Sequence, residues 1–369
     1  MYFCSHGPEV GGAPARCAPP SRERGTPMPI PDQRDPEVTR TVLNRWLAGR
    51  LPGAEVERLQ TPATSGFSAE TIMFSAGGRG FVAKVAPTNY QIFPEPRFEE
   101  QYRLLAELRR RGLPVPEVFW YEPDASLLGA PFLVMGAISG RAPSDMPPYH
   151  MEGWVTEISP AERSAMWDNG LVAMAAVHAQ PVAGLEYVDQ TGYGPTGLRQ
   201  RLGYWDHYLH WAYAGKVPVA ERALEWLRAH QPPEPHEPRL LWGDSRIGNI
   251  LFVDGAVAGV LDWEMATLGQ PEEDLAWYLY LDRHHGEGVG AERLPGFPTA
   301  RETVARYTGL LGRPLADLEY YEVLSGLKFA AVMARIGQLM ISYGLVPADD
   351  PFPHTNTATR LLATVLEEL

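Results

Sequence analysis

Apolar and polar positions follow two rhythms along the chain, and the change of rhythm divides it. From Glu55 to Ala137 the dominant period is two. Glu55 to Leu59, Glu70 to Ala76, Gly80 to Val85, Glu117 to Tyr121 and Pro131 to Ala137 alternate or run apolar, with turn-forming residues between them. Five strands are expected there. One helix interrupts them, Phe93 to Gly112, with Leu104, Leu105 and Leu108 on one face and Arg109 to Arg111 at the end where the dipole favours cations. The order is β-β-β-α-β-β. An earlier helix starts at Asp35-Pro36, an N-cap followed by a proline at the first helical position. Val38, Val42, Leu43, Trp46 and Leu47 give it one apolar face.

Beyond Gly140 a Pro-rich linker, Arg141 to Tyr149, leads into a period near 3.6. Ser159-Pro160-Ala161-Glu162 is a capping box that opens a helix running to His178. Leu198 to Tyr213, Val219 to His230, Arg301 to Leu311, Asp317 to Tyr343 and Thr357 to Leu369 read as further helices. Trp205, His207, Tyr208 and Trp211 fall at helical spacing and read as core; His178 reads as a core or helix-end histidine. The longest apolar stretch, Tyr320 to Leu345, contains Lys328, Arg335 and Gln338, and so reads as a buried helix rather than a membrane span. The fold class is α+β in two lobes. Residues 35–140 form a sheet-plus-helix lobe and residues 141–369 a mainly helical one. Residues 1–34, rich in Pro, Gly and Arg, read as a disordered tail, with Met28 an alternative start.

Composition narrows the partners. The net charge of −13 disfavours nucleic acid and anionic membrane. Only Cys4 and Cys17 are present, both in the tail, so no disulfide framework is expected and a cytoplasmic setting fits.

The chemistry sits in one stretch within the helical part, Leu240 to Trp277. Leu240 to Trp242, Asn249 to Val253 and Val257 to Leu261 read as short strands, turning at Gly243-Asp244 and at Asp254-Gly255. Three polar residues stand at their ends: Asp244, Asn249 and Asp262. Asp244 and Asn249 are five positions apart. The protein-kinase catalytic loop has this spacing, where the Asp orients the attacking hydroxyl and the Asn binds Mg²⁺. A second Asp follows a β-turn-β excursion, as the metal-binding Asp of a kinase does. Phosphoryl transfer calls for these types, because hard oxygen ligands must hold Mg²⁺ against the phosphoryl oxygens. WGD or LDWE alone would be an ordinary strand end. His284-His285 beside Asp282 and Glu287, before GEGVGAERLPG, reads as a solvated helix end and a mobile loop rather than a metal site.

WGD-x4-N followed by LDWE-x4-G-x4-DLAW resembles the aminoglycoside phosphotransferase and choline kinase superfamily. The branch it most resembles includes the phosphotransferase-like domain of acyl-CoA dehydrogenase fusion proteins. The resemblance runs from about Asp35 to the C-terminus. It implies a two-lobed protein-kinase-like fold and ATP- and Mg²⁺-dependent O-phosphorylation of a small-molecule hydroxyl. GTP is an alternative donor, and a hydroxyacyl-CoA is one candidate acceptor. Asp244 would be the catalytic base, Asn249 and Asp262 the Mg²⁺ ligands, and Lys84 the residue on the α- and β-phosphates. Ser68, in the connection Thr64-Ser65-Gly66-Phe67-Ser68, would lie over the phosphates, unless that segment is a plain hairpin loop. Main-chain groups near Met135 to Ala137 would meet adenine at a hinge. Arg246 is a candidate for phosphate or substrate charge. Asp274 would cap the next helix or support the catalytic loop. Two departures stand out. The superfamily usually has His where this chain has Trp242, which is expected to substitute by packing. Kinases pair the strand lysine with a helix glutamate, whereas helical phase puts Gln101 nearest Lys84, leaving phosphate and Asp262 to balance the lysine. A nucleotide-binding pseudoenzyme and a helical interaction module without chemistry are the competing readings; the second leaves the Asp-Asn-Asp spacing unexplained.

Overall fold

The computed structural model describes residues 34–61, 68–234 and 236–369. The expected tail and Thr64 to Phe67 lie outside the described residues, apart from Arg34.

Helix α1 (Pro36–Ala48) starts as its sequence demands: the Asp35 carboxylate accepts from the amides of Glu37 and Val38. It buries Leu43, Trp46 and Leu47. Strands β1 (Val56–Gln60), β2 (Glu70–Ala76) and β3 (Arg79–Val85) follow, then α2 (Phe98–Arg110), β4 (Val118–Glu122), a single turn α3 (Ala125–Leu128) and β5 (Phe132–Gly136). The sheet is antiparallel in the order β1-β2-β3-β5-β4. This is the expected β-β-β-α-β-β lobe, with one boundary corrected. The helix begins at Phe98, five residues later than the pattern suggested. Pro94 and Pro96 hold Phe93 and Glu95 out of the α region, so the segment before Phe98 runs as a loop.

Directly paired residues share a face of a sheet. Lys84 pairs with Thr71 and Leu133, and Val82 with Met135. Those residues form one face. Phe81, Ala83 and Val85 point the other way into the core, where Phe81 meets Phe74, Phe119 and Trp120, and Trp46 of α1 packs on Phe132. Thus α1 covers one face, and the face carrying Lys84 is left for α2 and the cleft.

The second lobe contains the single turn α4 (Trp154–Glu157), α5 (Pro160–His178), α6 (Leu198–Ala212), α7 (Pro218–Ala229), β6 (Arg239–Leu241), β7 (Ile250–Val253), β8 (Ala256–Val260), β9 (Thr267–Gly269), α8 (Pro271–His285), α9 (Ala300–Leu311), α10 (Leu318–Ser342) and α11 (Thr357–Glu367). β7 and β8 form a hairpin across Asp254 and Gly255, both at positive φ, as a two-residue primed turn requires. α10 is long and apolar enough to cross a membrane by length and composition, but most of it is buried inside the protein, against α6, α7, α8 and α11.

The lobes meet at several places, among them a hydrogen bond from the Val260 amide to the Pro114 carbonyl at 2.7 Å. At the linker, Arg141 bridges Phe252 of β7. On the far side, the loop before α2 rests on the helical lobe: Arg335 donates to the Gln91 carbonyl at 2.7 Å, Tyr208 to the Ile92 carbonyl at 2.7 Å, and Arg97 to the Val188 carbonyl at 2.9 Å.

The capping box at α5 is complete: Ser159 accepts from the Glu162 amide and Glu162 accepts from the Ser159 amide. Ser159→Ala should cost about 1 kcal/mol in denaturant unfolding, the usual loss for an N-cap. An unchanged midpoint would mean that this helix end contributes nothing to the cooperative unit.

Candidate active site

The site is built on the turn between β6 and β7. Gly243 has φ of +88°, and a Cβ there would lie 2.1 Å from the Met265 carbonyl oxygen. Only glycine fits. The turn places Asp244 at the cleft, and a 3₁₀ turn over Ile247–Asn249 brings Asn249 back beside it. That turn occupies the position where a strand was expected to begin at Asn249.

Asn249 Nδ2 donates to the Asp244 carbonyl at 3.0 Å and to Asp244 Oδ2 at 2.7 Å. Its side-chain Nδ2 is therefore spent, and its side-chain oxygen Oδ1 is left as a hard ligand. The Leu261 amide donates to the Asn249 carbonyl at 2.8 Å, which continues the hairpin ladder and sets Asp262 next to Asn249. Asp262 has φ of +60°. A non-glycine residue in the left-handed region is strained, and such strain gathers at functional positions. A carboxylate and an amide oxygen, with phosphate and water completing the shell, are the donor set Mg²⁺ takes. Among the described residues no group of three or more His, Cys, Asp or Glu could hold a metal ion alone.

The other Asp244 oxygen, Oδ1, accepts from Trp277 Nε1 on α8 at 2.9 Å. Arg246 Nε reaches Asp244 Oδ2 at 3.1 Å, and its guanidinium also pairs with Asp145 of the linker. Burial pulls the Arg246 guanidinium down, but Asp244, Asp145 and Asp262 outweigh it and hold it above its ordinary value. The Pro-rich linker gave no sign that Asp145 would arrive here.

Behind the loop lies Asp274, fully buried in the first turn of α8. The helix opens at Pro271, so Asp274 does not start it, and the loop-supporting alternative is the one observed. Its Oδ2 accepts from the Trp242 amide at 2.7 Å and its Oδ1 from the Gly243 amide at 2.9 Å. His178 Nε2 completes the set at 2.9 Å, while His178 Nδ1 meets the Tyr307 hydroxyl. His178 is thus a core histidine holding the carboxylate that holds the loop. Trp242 does more than pack. Wholly buried, it donates from Nε1 to the Leu261 carbonyl at 2.8 Å and so ties the Asp244 turn to Asp262.

On the opposite wall, Lys84 has no carboxylate within salt-bridge distance among the described residues. Glu99 is exposed, Glu100 lies 3.9 Å from Arg97, and Gln101 lines a groove with Ser68 and Glu264. Gln101 thus stands on the side of α2 that borders Ser68 and Glu264. The carboxylate sharing Lys84's field is Glu264, which the sequence reading passed over although it stands in LDWE. Burial and Asp262 push the Glu264 carboxyl above its ordinary value, against a hydrogen bond from Ser68 and the charge of Lys84.

At the hinge, the Gly136 amide donates to the Glu117 carbonyl at 2.8 Å and the Ala137 amide to the Gly80 carbonyl at 3.0 Å. An adenine contact at Ala137 is therefore not made by its N–H. The expectation of a solvated end at His284-His285 is overturned. Both histidines are buried: His284 packs on Phe329 with ring centroids 4.6 Å apart, and His285 Nε2 lies 3.5 Å from Asp145. Burial and the neighbouring His285 push His284 down to about 4. The following loop is pinned by Arg293, which donates to Asp282, to the Phe297 carbonyl and to the Pro298 carbonyl, each at 2.7 Å.

Asp274→Ala would leave two loop amides and a histidine N–H without their buried acceptor. The expected loss is about 3–5 kcal/mol in chemical denaturation, the range for breaking a buried charged contact. A loss under about 1 kcal/mol would show that water replaces the carboxylate.

Comparison with known proteins agrees with this geometry. The sequence profile described as the phosphotransferase enzyme family matches residues 60–311. Acyl-CoA dehydrogenase family member 11 of Gallus gallus is 31% identical over 245 residues, which is 64% of this chain and 30% of that protein. The human protein of the same name is 29% identical over 345 residues, covering 90% of this chain and 43% of its own length. The chain thus spans less than half the length of these relatives. Among solved structures, a Ralstonia eutropha protein assigned to the aminoglycoside phosphotransferases aligns with a TM-score of 0.65 at 22% identity, over 88% of this chain and 98% of that one. The aminoglycoside phosphotransferase APH(4)-Ia, in a ternary complex with AMP-PNP and hygromycin B, aligns with a TM-score of 0.59 at 16% identity, over 89% and 98%. The fold is that of the aminoglycoside phosphotransferases, and the chain belongs to the phosphotransferase enzyme family.

Proposed function

We propose that this protein transfers the γ-phosphoryl group of ATP, with Mg²⁺, to a hydroxyl of a small molecule. The observation that supports this most is the arrangement around Asp244. Its carboxylate is bonded by Asn249 and Trp277, and Asp262 directly follows Leu261, whose amide bonds to Asn249. In this reading the acceptor oxygen attacks the γ-phosphorus and the β–γ bridging P–O bond breaks. ADP leaves, and the hydroxyl proton passes to Asp244. Asn249 Oδ1 and the Asp262 carboxylate would hold Mg²⁺, which neutralises charge on the phosphoryl oxygens. Lys84 holds the α- and β-phosphates, Ser68 and Gln101 border the phosphate end of the cleft, and Met135 and Ala137 flank the base. Arg246 turns from Asp145 towards phosphate or acceptor charge.

For the acceptor, the reading favours a hydroxyacyl thioester. The support is the likeness to acyl-CoA dehydrogenase family members over most of this chain. We place the protein in the cytoplasm, in line with its two cysteines.

The test is a thermal-shift series with Mg-ATP and Mg-GTP, then a γ-phosphate transfer screen over hydroxyacyl-CoAs, aminoglycosides, choline and sugars. Stabilisation by Mg-ATP and transfer to one class supports the reading. Stabilisation without transfer to any acceptor or to water points to a nucleotide-binding pseudoenzyme.

Asp244→Asn should lower transfer by on the order of 10²–10⁴-fold, the usual cost of a positioned general base. Folding and Mg-ATP affinity should stay close to wild type, and wild-type turnover in this variant would sink the assignment. Asp262→Ala acts differently. It removes an ionised metal ligand, so calorimetry should show weakened Mg-ATP binding itself. Unchanged affinity would mean that Asp262 does not hold the ion.

A further inference from the structure

We propose that Trp277 is a positioning residue for the Asp244 carboxylate, and that buried Lys328 holds its indole in place. This rests on the phosphotransfer reading above and extends it to a residue outside the Asp-Asn-Asp set.

Asp244 is gripped from two sides. Asn249 and Arg246 reach Oδ2, whereas Trp277 Nε1, at 2.9 Å, is the side chain that reaches Oδ1. Without that second grip the carboxylate is held through one oxygen and can turn about its Cβ–Cγ bond. A general base must lie within hydrogen-bond reach of the proton it takes. Small misplacements of reacting groups are costly. Trp277 itself is 3% exposed and sits one helical turn beyond Asp274, on the same side of α8. One face of α8 therefore fixes both the backbone of the catalytic turn and the side chain it presents. Packing alone would be served by any large ring. It does not require the indole nitrogen to meet a carboxylate.

Lys328 accounts for the indole's own rigidity. It lies in the middle of α10, fully buried, with Nζ 4.5 Å from the centroid of the Trp277 ring. The same nitrogen stands 3.2 Å from Glu273 Oε1 and 3.5 Å from the Gly243 carbonyl. Glu273 is held in turn by Arg201 Nη2 at 3.0 Å. A buried lysine is expensive without partners. Here its partners are the residue before Asp244, the residue before Asp274 and the face of the ring that holds Asp244. A cation over an aromatic face is attracted to it and, when desolvated, orders it strongly.

The test uses the full chain labelled with ¹⁵N. Its indole N–H signals are recorded, and the Trp277 signal is the one lost in Trp277→Phe. Asp244→Ala and Lys328→Met should each move that signal. In parallel, Trp277→Phe should slow phosphoryl transfer to the identified acceptor, or to water, by about ten- to a hundredfold, as expected for losing a hydrogen bond to a charged group. Its Mg-ATP affinity should stay within about twofold of wild type, the split expected when only the transition state is affected. A Trp277 signal indifferent to Asp244→Ala overturns the proposal, as does an active enzyme that Trp277→Phe leaves at full rate. A signal indifferent to Lys328→Met overturns the role of the lysine. Should the wild type transfer phosphate to nothing, the phosphotransfer reading fails by itself, and the indole signal still decides whether Trp277 holds Asp244.

Discussion

The turn that carries Asp244 depends on one buried carboxylate. Residues 242 to 245 make an irregular loop inside the protein, and a buried loop must find partners for its amides. The left-handed φ of Gly243 keeps those amides from pairing as a strand or a helix would. Asp274 supplies the missing acceptors for Trp242 and Gly243, and its main-chain carbonyl takes the Ser245 hydroxyl at 2.7 Å. The two loop amides, the His178 ring nitrogen and the N-terminal end of α8 together stabilise the carboxylate. His178 carries the constraint outward to α5 and, through Tyr307, to α9. The turn is thus fixed by helices distant from it in sequence, and Asp244 inherits that rigidity.

The sheet lobe was legible almost residue by residue. Its strands alternate clearly and Asp35 carries the cap of α1 in the sequence, as Ser159 does for α5 in the helical lobe. The helix starts at Phe98 rather than Phe93 because Pro94 and Pro96 override the leucine periodicity. At the candidate site, spacing singles out Asp244, Asn249 and Asp262, because hairpin geometry brings strand ends together by local rules. Residues recruited from far along the chain left weaker traces. Asp145 sits in a linker without periodicity and reaches Arg246 only through the fold. Glu264 and Trp277 were in view within LDWE and DLAW, but nothing local says where a glutamate or an indole nitrogen points. The burial of His284 and His285 comes from Phe329 of α10 and from Tyr149 and Asp145 of the linker, contacts invisible to composition.

The first turn of α8 shows what the buried charges contribute. Glu272, Glu273 and Asp274 are consecutive and all buried, although neighbours on a helix point about 100° apart. Each is answered from a different direction: Glu272 by Arg313, Glu273 by Arg201 and Lys328, Asp274 by His178 and the loop amides. Burial pushes Glu273 up, but Arg201 and Lys328 more than reverse it and hold it down at about 2. Such pairs add little net stability, because desolvation offsets most of their attraction. They discriminate strongly between arrangements, however. Rotating α8 by one residue would set three carboxylates against the wrong partners at once, each left buried and uncompensated. The helix therefore has one acceptable rotation about its axis. That rotation aims Trp277, one turn after Asp274, at Asp244. Three buried acidic residues away from the cleft thus bear on where the Asp244 carboxylate is held.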